Sequence, residues 1–178
     1  MEFIPFKQKY IRDVISWVKS ERDLVQWAGS TFSWPLTQKQ FREHLKKART
    51  PNPELYPFAL LNRGKIAGYC EISDLKPMFD SAMLSRVIVS PRGRNNGFGE
   101  FMVKQAVKFG FEQLNLNRIG LGVFDFNIAA AKCYTKAGFI YEGTTRQSAK
   151  AGTEYWNCHI MSILKKEWKE LLRRRYTE

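Results

Sequence analysis

The residues Arg94-Asn95-Asn96-Gly97-Phe98-Gly99 have the types and spacing of an anion site. They follow the apolar run Val87-Ile88-Val89 and the break Ser90-Pro91, and lead into a stretch where Phe98, Phe101, Met102, Ala106 and Phe109 recur at helical spacing. A strand, a glycine loop and a helix start leave main-chain N–H groups without intrahelical partners, and the helix dipole favours negative charge beside them. Gly97 and Gly99 let a phosphate approach main chain that a Cβ would shield. Two common phosphate loops do not fit. The P-loop needs Lys-Ser or Lys-Thr after its last glycine, where this chain has Glu100, and the dinucleotide fingerprint needs a third glycine, where it has Met102.

The pattern that fits is R/Q-x-x-G-x-G/A. Placed after an apolar strand ending in Val-x-Pro, it resembles the pyrophosphate loop of the GNAT superfamily of N-acetyltransferases. The segment Asn127-Ile128-Ala129-Ala130-Ala131-Lys132-Cys133-Tyr134-Thr135-Lys136-Ala137-Gly138-Phe139 resembles that superfamily's N-x-x-A-x-x-x-Y-x-K-x-G-F stretch, one helix and one strand downstream. Two patterns in the right order identify the chain as similar to this superfamily, in detail over roughly residues 55–165. The order of elements and the Trp-rich N-terminal part look most like the branch that acetylates ribosomal-protein N-termini and related small amines.

The resemblance implies a transferase that moves acetyl from acetyl-CoA to a primary amine by direct attack in a ternary complex. Such chemistry needs the donor held, the amine deprotonated, the oxyanion stabilised and the thiolate protonated. By resemblance, Arg94, Asn95, Asn96, Gly97, Phe98 and Gly99 hold the pyrophosphate. Unpaired main chain at Val87, Ile88 and Val89 takes the pantetheine arm, with an N–H facing the thioester oxygen. Asn127 hydrogen-bonds the arm, and Ala130 lies in the same cofactor-binding motif. Asn95 stands where the family usually has glycine. Tyr134 points at the sulfur; its phenol, with an ordinary pKa of about 10, is the candidate general acid, and a packing residue that orients the cofactor is the other reading.

Glu71, in Gly68-Tyr69-Cys70-Glu71-Ile72, shares a strand face with Tyr69 and Ser73. Some members of the superfamily carry a catalytic carboxylate there, acting through water, so Glu71 is the candidate base; an ion-paired glutamate is the alternative. Trp27, Phe32 and Trp34 fall where the family builds one wall of the acceptor cleft, and ordinary core aromatics would look the same. Cys133 beside Tyr134 invites an acyl-cysteine route, against which a helical packing cysteine is weighed. His44 and His159 are isolated and suggest neither a metal site nor a triad.

These residues need elements to position them. The start reads as a strand at Phe3–Phe6, followed by a helical pattern from Ile11 to Trp27 and a basic helix Gln38–Ala48 capped by Thr37. Strands are expected at Phe58–Leu61 and Lys65–Ile72 around the turn Asn62-Arg63-Gly64, with a turn over Asp74–Ser81 and a strand at Ala82–Val89. Arg118–Phe124 alternates as a strand and Ile128–Ala137 reads as a short helix ended by Gly138. Strands Phe139–Thr144 and Glu154–Leu164 and a final helix Lys165–Arg175 complete the reading. The expected class is α/β (α+β), a single GNAT-like domain over residues 1–178. Its central sheet is mixed, mostly antiparallel, twisted, splayed at the cofactor site and flanked by helices.

Composition sets the outer bounds. The 178 residues are 44% hydrophobic with thirteen Phe, enough for one buried core. No run approaches the ~20 apolar residues of a membrane helix, and Met1-Glu2-Phe3-Ile4-Pro5 does not read as a signal peptide. Cys70, Cys133 and Cys158 lack C-x-x-C spacing and read as reduced thiols of a cytoplasmic protein without zinc. The net charge of +12 gathers at Lys39–Arg49, Arg86–Arg94 and Lys165–Arg175. A diphosphate accounts for the middle cluster. The others read as solvated helix faces or as surfaces for an acidic partner such as RNA or the ribosome. Two alternatives to the N-terminal acetyltransferase follow: a basic ribosome- or RNA-binding module that keeps the acetyl-CoA fold, and an acetyltransferase of small polyamines or antibiotics. A pure binder has no need of Tyr134 and Asn127. A cationic acceptor calls for an acidic cleft, and the surplus of positive charge argues against that alternative, with Glu54, Glu71, Asp74 and Asp80 as the local carboxylates that keep it open. The expected assembly is a monomer or homodimer.

Overall fold

In a computed structural model, residues 1–175 are described and fold as β1 (Glu2–Pro5), α1 (Ile11–Ser16), α2 (Glu21–Ala28), α3 (Gln38–Leu45), β2 (Leu55–Asn62), β3 (Lys65–Lys76), β4 (Ser81–Val89), α4 (Phe98–Glu112), β5 (Arg118–Phe124), α5 (Ile128–Ala137), β6 (Ile140–Ala151), β7 (Glu154–Leu164) and α6 (Lys165–Arg175). The last three residues of the expected 1–178 domain lie outside this range. Seven strands form one sheet in the order β1-β2-β3-β4-β5-β7-β6. Every neighbouring pair is antiparallel except β4 with β5. The expected mixed, mostly antiparallel sheet flanked by helices is therefore the fold observed.

β3 divides the core. Its side chains alternate between the two faces of the sheet. Cys70 and Ile72 join Met102, Val103, Ala106, Val107 and Phe111 of α4 in the larger apolar cluster, with Ile119 and Leu121 of β5. Tyr69 instead joins Ile11 and Val14 of α1 and Phe41 and Leu45 of α3 on the other side. Of the expected α4 stripe, Met102 and Ala106 are fully buried, whereas Phe98, Phe101 and Phe109 are only partly buried against the cluster and the enclosed face runs through Val103, Val107, Gly110 and Phe111. α6 closes the molecule with Trp168 and Leu171 against the same cluster.

Several boundaries differ from the sequence expectation. The helical pattern from Ile11 to Trp27 is two helices, because Ser20 is extended (φ −148°) and its hydroxyl accepts the Asp23 N–H at 3.1 Å, starting α2 anew. The basic helix ends at Leu45 and tightens into a 3₁₀ turn at Lys46–Arg49; its Thr37 cap is as expected, accepting from the Gln40 N–H. β2 and β3 are longer than expected, and β3 runs through the presumed turn to Lys76 by placing Asp74 at φ 49°. The first strand is confined to Glu2–Pro5. β6 extends to Ala151, with its pairing to β7 interrupted between Thr145 and Ala149. Among the described residues no helix is long and apolar enough to cross a membrane.

Candidate active site

The site begins where the sheet comes apart. β4 pairs with β5 only at Ser81↔Arg118, Ala82↔Ile119 and Met83↔Gly120. Past Met83 the two parallel strands separate, leaving one edge of β4 without a strand partner. On its other edge β4 carries a bulge. Tyr69 pairs with Ile88 and Glu71 with Ser85, so two steps on β3 face three on β4, and Arg86 sits in the excess with φ 49°. The separation opens a cleft of about 220 Å³ lined by residues from α2, β4, β5, α5 and β7.

Five expected site residues line that cleft together: Trp27, Val87, Asn127, Ala130 and Tyr134. Asn127 caps α5, its Oδ1 accepting the Ala130 N–H at 3.3 Å, which leaves its amide N–H₂ available to a ligand. Tyr134 is buried, and its hydroxyl has no protein hydrogen-bond partner among the described residues; no fully enclosed polar side-chain atom is left unsatisfied, so this hydroxyl opens into the cleft. Burial, followed by the neighbouring Cys133 and Cys70, pushes the Tyr134 phenol well above its ordinary value. It is a protonated donor throughout the physiological range.

The glycine loop lies beside this cleft rather than in its wall. Pro91–Gly93 form a 3₁₀ turn, Asn95 is left-handed (φ 61°) and Gly97 starts α4 at φ 75°. Asparagine is among the few non-glycine residues that take this conformation readily, which explains Asn95 at a position where the family resemblance suggests glycine. Asn96 turns inward, donating to the carbonyls of Arg92 (3.2 Å) and Arg94 (2.9 Å), so it shapes the loop. Gly97 has no side chain to cap the helix, and the first-turn N–H groups are left to an external acceptor. A Cβ on Gly99 would lie 3.4 Å from Cys133 Sγ and 3.6 Å from Val89 Cγ2, which sets the helix start against both α5 and the end of β4. Ile88 and Val89 continue the β4 edge toward it. This arrangement fits a long donor whose diphosphate rests at the head of α4 and whose arm follows β4 to Tyr134.

Glu71 is placed elsewhere. It is 0% exposed and does not line the cleft. Tyr69 O–H donates to its Oε1, His44 Nε2 lies 2.9 and 3.0 Å from its two oxygens, and Arg86 Nε donates to Oε2 at 2.7 Å. Burial alone would raise its carboxyl, but His44 and Arg86 outweigh that and hold it below the usual carboxylate range. The candidate base is thus an enclosed ion-pair partner.

Of the aromatic residues, Trp27 reaches the cleft, but its ring stacks near Phe32 and Phe41 and its Nε1 donates to the Arg86 carbonyl at 2.8 Å. Phe32 packs on Phe41 (5.6 Å) and His44 (5.2 Å) and lines a second, larger groove. Trp34 is 43% exposed and lines neither opening. The groove, about 990 Å³, meets the cleft at Arg86 and carries Glu43, Glu54 and Asp74. Burial raises the Cys133 thiol to about 11, an inert side chain at neutral pH.

Sequence reasoning missed Gln26, Ser85, Arg86 and Cys158 in the cleft wall. Arg86 was visible only as part of a basic cluster. A bulge leaves no compositional trace, and Cys158 reaches the cleft only through the β5–β7 pairing Phe124↔Cys158.

A family model described as the acetyltransferase (GNAT) family matches residues 21–139. The chain is 24% identical over 132 residues to an uncharacterized N-acetyltransferase of Bacillus subtilis, spanning 74% of this chain and 76% of that one. It is 26% identical over 103 residues to a spermidine N(1)-acetyltransferase of Vibrio cholerae, spanning 58% of this chain and 59% of that one. The crystal structure of spermidine N-acetyltransferase from Vibrio cholerae in complex with CoA and spermine superposes with a TM-score of 0.82 at 20% identity, covering 94% of this chain and 97% of that one, a likeness of fold.

Proposed function

This chain belongs to the acetyltransferase (GNAT) family, with acetyl-CoA as its acetyl donor, and from that premise we propose that its acceptor is a small polycationic amine. The observation that carries the reading is the parting of β4 and β5 over a cleft into which Tyr134 opens. The donor brings the thioester; the protein holds and orients it. Main-chain N–H groups from Arg94 to Gly99 hold the diphosphate, the free edge of β4 pairs with the arm, and the Asn127 amide fixes that arm from the other side. An N–H of the β4 edge near Val87–Val89 faces the thioester oxygen as charge develops on it.

The amine nitrogen forms its bond to the acetyl carbon as the carbon–sulfur bond breaks. Tyr134 gives its proton to the departing sulfur and regains one from water. None of the residues lining the cleft is acidic, so the amine arrives neutral, and the proton its nitrogen loses on becoming an amide passes to solvent, balancing the one that Tyr134 regains. A cationic acceptor is supported by the name that related proteins bear, spermidine acetyltransferase. The groove next to Arg86 offers Asp74 as a carboxylate for it, since Glu54 pairs with Lys47 at 3.4 Å and Glu43 with Lys46 at 2.8 Å. This reading takes the place of the expected ribosomal-protein N-terminus as first choice.

The test is release of free thiol from acetyl-CoA over a panel of polyamines, amino acids and peptide N-termini. Polyamine turnover at least tenfold above the peptides is the expected result. Preference for peptide N-termini would overturn the acceptor assignment and restore the ribosomal reading; no thiol release with any amine would count against acetyl transfer itself.

A further inference from the structure

We infer that Glu71, Arg86 and Trp27 form a clamp that fixes the β4 bulge and so positions the main chain on which the donor is read. The inference rests on acetyl transfer occurring in the cleft. Arg86 occupies a left-handed conformation that non-glycine residues avoid, in the one place where β4 has a residue too many for its ladder with β3. Three elements hold it there. From β3, Glu71 accepts from Arg86 Nε at 2.7 Å and pairs with Nη2 at 2.5 Å. From α2, Trp27 Nε1 donates to the Arg86 carbonyl at 2.8 Å. From the loop after α2, Thr31 Oγ1 accepts from Nη1 at 3.1 Å.

The Glu71 carboxylate is itself held by Tyr69 and His44, so its orientation follows from β3 and α3 together. A buried carboxylate with this many donors is costly to disturb and rigid when complete. What the clamp fixes is functional surface, because Ser85, Arg86 and Val87 all line the cleft. Beyond them runs the β4 edge that has no β5 partner. Without lateral pairing on that side, the bulge geometry rests on its β3 ladder and on these side chains. Glu71 and Trp27 are therefore positioning residues.

The test uses the full chain with Trp27→Phe, which keeps a ring but removes the N–H, and Glu71→Gln, which keeps shape but removes charge. Amide exchange across residues 84–89 is followed without ligand, and kcat, KM for acetyl-CoA and the pH profile are measured. In Trp27→Phe the segment is expected to exchange roughly fivefold faster, the effect of one lost hydrogen bond. In Glu71→Gln, kcat/KM is expected to fall by about 10²-fold through both of its components, as for a small misplacement, with the limbs of the pH profile unmoved. Unchanged exchange in Trp27→Phe overturns the clamp. So does a Glu71→Gln variant that keeps its KM but loses the acidic limb of its profile, since that is the behaviour of a base. Should Glu71→Gln fail to fold, the Trp27→Phe exchange result decides alone. A parent chain that does not bind CoA would remove the acetyl-transfer reading and leave the exchange arm intact.

Discussion

Asn127 and Tyr134 reach one cleft from the same helix, two turns apart, the first as its cap and the second on the same face seven residues on. In the proposed mechanism an arm steadied at Asn127 is delivered toward the phenol, and the two residues would serve different steps, which separates the effects expected on replacing them.

Tyr134→Phe should lower kcat by ~10²-fold while CoA affinity stays within about threefold of the parent. Because burial holds the phenol protonated, no limb of the pH profile below pH 9 should vanish in the variant. Steady-state kinetics alongside CoA titration calorimetry checks both. Equal turnover would leave Tyr134 as a packing residue.

At the head of α4 the backbone sets the tolerance. Gly97 lies at φ 75°, where a side chain costs roughly 1–2 kcal/mol. Gly97→Val should lower the melting temperature and weaken CoA binding together. Asn95→Gly, at φ 61°, should bind CoA as the parent does. A Gly97→Val chain with parental CoA affinity would show that the diphosphate does not lie on this turn.

The covalent alternative has its own test. A thiol raised to about 11 by burial is a poor nucleophile at pH 7.5. Cys133→Ser should retain most of the activity, and mass spectrometry after incubation with acetyl-CoA should find no acetyl group on Cys133. Stable acetylation there, lost with activity in the variant, would establish a ping-pong route.

How far the sequence could be read depended on how local each signal was. β5 and α5 occupy the residues their patterns predict, because alternation, the Asn127 cap and Gly138 at φ 101° act within a few residues. The break before α2 is also local, a Ser-x-x-Asp start masked by the apolar stripe of Ile11, Val14, Ile15 and Val18 that runs up to it. The bulge and the fate of Glu71 were not local. His44 is 27 residues away and Arg86 15, on an element and in a conformation that no spacing announces. The cleft residue Cys158 depends on strand pairing in the same way.

The far end of the sheet gives a pH prediction. Hydrogen bonds from Arg118 first, then from Ser162, lower the Glu142 carboxyl to about 2. A carboxyl depressed from its ordinary ~4.3 contributes stability that is complete above that value and is lost as pH falls through about 2. The pair is partly exposed, so the step is small and shrinks in high salt. Glu142→Gln should flatten the fall in melting temperature between pH 5 and 2.5; parallel curves for parent and variant would contradict the assignment.

The most direct measurement is a crystal structure of the chain with acetyl-CoA bound. The diphosphate is expected on main-chain N–H groups between Arg94 and Gly99, the arm paired along Val87–Val89, and the Tyr134 hydroxyl within hydrogen-bond reach of the sulfur. A diphosphate bound away from the head of α4, or a thioester out of reach of Tyr134, would contradict that arrangement.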